Sequence, residues 1–334
     1  MTHAALAMKH ASARRATPLK LALVAAGLVL LVAAPFWLYP IFLMKLLCFA
    51  LFAAAFNLLL GYTGLLSFGH AAFFGGAAYV TAHTVKVWGL PPELGILAGM
   101  AGAAVLGLLM GGLAIRRQGI YFAMITLALA QMFFFFCLQA PFTHGEDGIQ
   151  AVPRGWLFGL IDLNQGLNMY YFVLAVFLIG MFAIHRIVHS PFGMILKSIR
   201  ENENRAISLG YSVSSYKLAA FVMSATLAGL AGALKALVFQ FATLTDVAWQ
   251  MSGEVILMTL LGGIGTMLGP FVGAALVVTL QNYLATSAFP VTIITGLIFM
   301  ICVLLFRRGL VGEFLHSRLG RRLSARMDDR APNP

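Results

Sequence analysis

The sequence predicts an all-α polytopic membrane protein with about 8–10 transmembrane or re-entrant helices and a possible internal repeat around glycine-rich breaks. Three observations carry that prediction. Hydrophobic residues make up 61% of the 334 and charged residues only 10%, against about 25% charged in a soluble domain; mean hydropathy is +0.92. The apolar stretches are long and free of charge, as at 21–38 and 94–113. They suit helices of about 20 apolar residues, not the alternating ~10-residue segments of a β-barrel. Finally, basic residues gather at the ends of those stretches, where topology signals lie.

Proline, glycine and charge divide the chain into apolar runs at 20–38, 41–60, 65–85, 94–114, 119–140, 168–189, 215–240, 252–262, 268–286 and 289–306. Lys9, Arg14, Arg15 and Lys20 precede the first run in the manner of a signal peptide. The run continues through Phe36, Trp37 and Leu38, long enough to span, and is read as a retained helix. A glycine-rich break from Gly61 to Gly69 separates the second run from the third, and Arg116-Arg117 closes the fourth. In the fifth, Phe133, Phe134, Phe135 and Phe136 cover nearly every face, so these rings meet lipid or neighbouring helices. Pro191 and Gly193 stop the sixth. The seventh contains Ala225-x-x-x-Gly229 and Ala228-x-x-x-Gly232, spacings that let helices approach closely. The eighth, 252–262, is too short to cross alone. Paired with 268–286 it is read as a re-entrant hairpin before a last crossing at 289–306, three short crossings being the other arrangement that brings the chain to the same side.

With the N-terminus in the cytoplasm, 18 of the 22 Lys and Arg fall inside and four, Lys45, Lys86, Arg154 and Lys235, fall outside. The organisation is then a cytoplasmic tail at 1–19, a transmembrane domain at 20–306 with a cytoplasmic segment at 190–214, and a basic cytoplasmic tail at 307–334. The break at 61–69 and a second from Gly262 to Gly269 each precede an apolar segment and a helix ending in two arginines, Arg116-Arg117 and Arg307-Arg308. Glycine-interrupted repeats of this kind mark transport pathways.

Several function classes lose support. The net charge of +11 sits at span ends, with no aromatic-and-basic stripe for nucleic acid. Cys48, Cys137 and Cys302 lie far apart inside apolar runs, without the spacing of a zinc or redox pair. No His-Glu-x-x-His, paired intramembrane aspartates or Gly-x-Ser-x-Gly supports an intramembrane enzyme, and no Gly-x-x-x-x-Gly-Lys-Ser/Thr phosphate loop is present.

The translocation-path candidates are Asn57, Gly61, Gly64, His70, Glu254, Gly262, Gly263 and Gly265. Glu254 is read as the acid well inside an apolar stretch, where a charge must face protein or water, and its place about two turns before the Gly262 break suits the outer interface equally. Asn57 and His70 flank the first break and also suit helix-to-helix hydrogen bonding. Gln131, Gln281 and Asn282 are weaker candidates, and Lys45 and Lys235 are expected to snorkel. On the cytoplasmic side, 190–210 reads as a short amphipathic helix. Ile195, Ile199, Ala206 and Leu209 form its apolar face, and Glu201 and Arg205 stand at i,i+4, ready to pair. Such a helix can dock in another protein's groove.

That segment, followed by Tyr216-Lys217-Leu218-Ala219-Ala220-Phe221, resembles the cytoplasmic coupling loop of ABC importer permeases, and more narrowly the LivM-type permeases of the LivH/LivM branched-chain amino-acid family. Residues 56–73, 253–270 and 306–310 are similar to that family's early, late and closing motifs, so the resemblance covers roughly 40–312. The outer loop Thr143-His144-Gly145-Glu146-Asp147-Gly148-Ile149 departs from the family's Thr-Gly-Gly-x-x-Gly-Ile. The resemblance implies a non-enzymatic pore subunit in a bacterial inner membrane with both termini cytoplasmic. Its implied partners are a LivH-type second permease, two cytoplasmic ABC ATPases and a periplasmic substrate-binding protein. The implied cofactor is none, with ATP bound by the partners. The implied coupling residues are Arg200, Glu201, Asn202, Glu203, Arg205, Ala206 and Gly210. Branched-chain amino acids, urea and short amides all remain open as substrate. The alternative is an ion-coupled secondary transporter of small polar solutes, which needs intramembrane ionisable pairs.

Overall fold

A computed structural model of the chain describes residues 18–284, 293–294, 296–297, 300 and 309–316. The expected crossing at 289–306, Cys302 and the second arginine pair lie wholly or largely outside these residues. The chain divides into two units, 1–38 with 314–334 and 39–313. In the first, helix α1 (Pro18–Ala33) runs into a 3-10 turn at Ala34–Phe36.

The second unit contains α2 (Pro40–Thr63), α3 (His70–Lys86), α4 (Pro92–Ala114), α5 (Ile120–Gln139), two-residue strands β1 (Trp156–Leu157) and β2 (Ile161–Asp162), α6 (Gly166–Val188), α7 (Pro191–Glu201), α8 (Glu203–Ser208), α9 (Val213–Phe239), α10 (Trp249–Gly262) and α11 (Gly269–Leu284). Helix α12 (Gly309–His316) begins in this unit. The chain is an all-α membrane protein with almost no sheet. Helices α2, α4, α5, α6 and α9 are each long and apolar enough to cross a bilayer.

Local chemistry sets the boundaries. Prolines at the first turn open α2, α4 and α7, where a missing N–H costs nothing. Gly64 closes α2 in the left-handed conformation, its N–H donating to the Leu60 carbonyl at 3.2 Å. Helix α3 starts at His70, not 65, because Leu65–Gly69 is non-helical.

Helices α2 and α9 are buried along most of their length and form the centre. Gly229 and Gly232 set α9 against Ala103 of α4 and the Phe74 carbonyl of α3, so both small-residue spacings work as close contacts. The outer helices expose apolar side chains, among them Leu108 and Leu109 on α4, Phe135 on α5 and Phe182 on α6. Lipid is the solvent that tolerates such a surface. Helices α10 and α11 pack as a hairpin, with Gly262 against the Gly269 carbonyl and Gly273 against that of Met258. The 14 residues of α10 span about 21 Å, short of a ~30 Å hydrocarbon core.

Polar contacts tie the connecting segments of this unit together. At one end the Arg116–Gln118 turn meets α8, with Gln118 Nε2 donating to Glu203 Oε1 at 2.9 Å, and Lys217 pairs with Glu203 at 2.7 Å. At the other, Lys86 Nζ donates to the Gln150 carbonyl at 2.7 Å, Arg154 Nη2 caps the Val238 carbonyl at 2.7 Å, and Ile149 bridges Ala242. The short β1–β2 hairpin between α5 and α6 was not expected. His144, where the loop departs from the family pattern, is exposed and takes a left-handed backbone (φ 59°), and Glu146 and Asp147 beside it are exposed as well.

Two expectations are corrected. The 190–210 segment is two helices, not one. Asn202 is extended (φ −157°, ψ 100°) and caps α8, its Oδ1 accepting from Arg205 N at 3.0 Å. The break separates Glu201 from Arg205, and the ion pairs among the described residues, Lys217–Glu203 and Lys235–Asp246, do not include them. Lys235 does not snorkel. It is buried, with its ammonium 2.6 Å from Asp246 and 4.2 Å from the Phe241 ring centroid.

Candidate functional site

Backbone groups freed where a helix is interrupted need hydrogen-bond partners, and both glycine breaks have them. In the first, Phe68 N donates to Thr126 Oγ1 (3.2 Å) and Gly69 N to Ser67 Oγ (3.2 Å). At the start of α3, Ala71 N donates to Ser252 Oγ of α10 (2.9 Å). In the second, Gly269 N donates to Thr266 Oγ1 (3.1 Å).

The two breaks meet at Asn57. Its Nδ2 donates to the Thr266 carbonyl at 2.9 Å, and its Oδ1 accepts from Gly265 N at 2.9 Å. One amide therefore satisfies a donor and an acceptor of the second break from the last turns of α2. The approach depends on Gly61: a Cβ there would press on Asn57 Oδ1 and come within 2.7 Å of Gly265 N. Gly265 itself has φ +75°, which only glycine adopts freely.

Helix α7 reaches this junction from the surface. Ser190 Oγ accepts from Gly193 N at 3.3 Å to start the helix. Leu196 and Ile199 are buried, and Arg200 Nη1 donates to the Gly61 carbonyl. The Arg200 side chain also packs on Gly64. Arg200, Gly61, Gly64 and Gly265 thus come together, joining residues expected to couple with residues expected to line the path.

The other coupling residues divide by exposure. Ala206 is fully buried against Ile199 and Val213, with Ile195 and Tyr216 packed around them, so it supports the surface from beneath. Glu203 is tied to Lys217 and Gln118. Glu201, Asn202, Arg205 and Gly210 are exposed. Leu209, expected on the apolar inner face, is 65% exposed and stands with Ile207 and Tyr211 in an outward apolar knob. The two-helix geometry turns that knob outward, and the signal for it was Asn202 as a cap.

His70 lies in the packed centre. Its Nε2 is 2.9 Å from Ser224 Oγ, which donates to the Ala55 carbonyl at 2.6 Å, so Nε2 carries the proton. The Phe56, Phe73 and Phe221 rings stand edge-on around it. Gly262 and Gly263 close α10, with Gly262 against Gly269 and Gly263 against Gly309. Glu254 is half-buried and interacts with Gln281 and Lys45, away from the junction's contacts. Asp246, missed in the sequence, is the more buried acid at 3% exposure. Its Oδ2 accepts from Lys235 Nζ and from the amide and hydroxyl of Thr243, both at 3.2 Å. The Thr243-x-x-Asp246 capping box was its sequence signal.

Residues 39–308 match the family described as branched-chain amino acid transport system / permease component. The chain is 30% identical over 246 residues to the high-affinity branched-chain amino acid transport system permease protein LivM of Salmonella typhimurium, covering 66% of this chain and 58% of that protein. The protein of the same name from Escherichia coli K12 is 28% identical over 250 residues, with the same coverage. The probable branched-chain amino acid transport permease protein LivM of Methanocaldococcus jannaschii is 24% identical over 221 residues, covering 60% of each chain. The matches thus span 58–60% of these relatives' own length. No solved structure matches the chain. The family match takes in α2 through α11, both glycine breaks and the α7–α8 segment, and on it this chain belongs to the branched-chain amino-acid transport permease family.

Proposed function

We propose that this chain is the membrane-spanning permease subunit of an ATP-driven importer of branched-chain amino acids, in a bacterial inner membrane with the α7–α8 end in the cytoplasm. A second, LivH-type permease completes the pore, and a periplasmic binding protein delivers substrate. Two ABC ATPases grip the exposed Ile207, Leu209, Gly210 and Tyr211 surface and drive the cycle, so ATP binds to them and not to this chain.

The observation that supports this reading best is the Arg200–Gly61 hydrogen bond. Force applied at α8 passes into α7 and through the guanidinium to the last turn of α2. There Asn57 joins α2 to the second glycine break. A rigid helix bonded to two interrupted segments suits the conversion of a surface displacement into rearrangement of a pathway.

The test is Arg200→Ala in the assembled transporter, reconstituted with ATP and binding protein. A hydrogen bond from a charged donor contributes about 1.5–3 kcal/mol, so leucine uptake should fall about tenfold or more while ATP hydrolysis continues. Undiminished uptake contradicts the reading.

A further inference from the structure

We propose that a cavity behind α7 binds the imported amino acid, as its zwitterion, on the inner side, and that its occupancy slows further import. This rests on the importer reading above and adds a ligand site and a regulatory role to it.

The cavity has a volume of about 630 Å³, within the ~300–1,000 Å³ usual for small-molecule sites. It lies between α7, the end of α6, the end of α2 and the second glycine break. Lys197, Arg200 and Glu201 supply its charges, and Tyr62, Val188 and Met267 its apolar surface.

The charges are arranged for a ligand carrying both signs. Lys197 and Glu201 are four residues apart on one helix, a spacing that commonly gives an ion pair. Here they do not pair with each other, nor with any other residue described. Lys197 instead rests over the Tyr62 ring, 5.5 Å from its centroid. A cation and an anion are therefore held apart on one wall beside apolar side chains. An α-carboxylate fits Lys197 and the adjacent Arg200, an α-ammonium fits Glu201, and a branched aliphatic side chain fits Val188 and Met267. A simple anion such as phosphate would meet like charge at Glu201, which favours the zwitterion.

The regulatory consequence follows from Arg200. The same guanidinium lines the cavity and donates to the Gly61 carbonyl. A carboxylate is the stronger acceptor for it, so a bound amino acid draws Arg200 from Gly61 and interrupts the link between α7 and the junction.

The experiment uses the assembled transporter in vesicles with ATP inside and the binding protein outside, comparing empty lumens with lumens holding leucine, leucinol, 4-methylpentanoate or inorganic phosphate. Lumenal leucine should slow initial uptake about tenfold, an ordinary size for coupling between sites. Leucinol, which lacks the carboxylate, 4-methylpentanoate, which lacks the ammonium, and phosphate should not. Lys197→Ala should abolish the inhibition with uptake into empty vesicles unchanged, and Lys197→Arg should retain it. Equal inhibition of Lys197→Ala, or equal inhibition by phosphate or either leucine analogue, overturns the assignment. Failure of the wild-type assembly to take up leucine into empty vesicles overturns the importer reading. The cavity is then judged by calorimetry of leucine binding to the assembly without binding protein: loss of the binding heat in Lys197→Ala supports the site, and equal heat overturns it.

Discussion

Asn57 and Gly265, 208 positions apart in the chain, are joined by a 2.9 Å hydrogen bond from the Gly265 amide to the Asn57 side-chain oxygen. The same side chain donates to the neighbouring Thr266 carbonyl at 2.9 Å. Backbone groups freed where a helix is interrupted need hydrogen-bond partners. Asn57 is thus both a hydrogen-bond partner and the fastener between two parts of the chain that sequence order keeps far apart.

Asn57→Ala removes both bonds and leaves a donor and an acceptor without these partners. At about 1 kcal/mol per bond, unfolding free energy in detergent should fall by about 2 kcal/mol. Denaturant titration of the purified protein measures this, and an unchanged midpoint with an unchanged slope contradicts the role assigned to Asn57.

Gly61→Ala and Gly112→Ala should behave oppositely, although both glycines sit in helices. A Cβ on Gly61 meets Asn57 and the Gly265 backbone, whereas one on Gly112 meets nothing within 4 Å. Gly112→Ala should stabilise α4 by about 0.5–1 kcal/mol through helix propensity. Gly61→Ala should separate the breaks and lower leucine uptake. Thermal unfolding and vesicle uptake of the two variants, measured side by side, check the contrast.

The Lys235–Asp246 pair is buried on both sides, and removal of one partner from such a pair costs about 3–5 kcal/mol. Asp246→Asn should therefore unfold at much lower denaturant, whereas Lys235→Met combined with Asp246→Leu should recover most of the loss. A double variant as unstable as the single would show that the fold needs this charge pair for more than mutual neutralisation.

Much of the architecture was legible in the sequence because the bilayer imposes length and composition on each span. The runs at 41–60, 94–114, 119–140, 168–189 and 215–240 lie within two residues of helix ends in most cases, since Pro40, Pro92 and Gly64 punctuate both sequence and structure. Contacts between distant segments were not legible. The repeat placed Gly61 and Gly265 in corresponding breaks, but nothing in its spacing says that the breaks touch. Arg200 was read as a docking charge, and its inward bond to Gly61 depends on the packing of α7 against the end of α2. Lys235 and Asp246 show the same limit. Lys235 was read as a residue near a span end and Asp246 was not singled out, and only the return of the chain after α9 brings them together away from water. Asn202 was legible in principle, as a capping residue, but the apolar spacing from Ile195 to Leu209 concealed it by mimicking one continuous helix.

An ATP-driven cycle requires the α7–α8 end to face the compartment where ATP is spent. Leu209→Cys, introduced into a chain with Cys48, Cys137 and Cys302 replaced by serine and expressed without the ATPases whose grip would cover the thiol, measures this in cells through a membrane-impermeant maleimide. Leu209 is exposed, so accessibility depends on the side it faces. Labelling only after the inner face is opened is the predicted result; labelling of intact, outward-facing membranes would contradict the account.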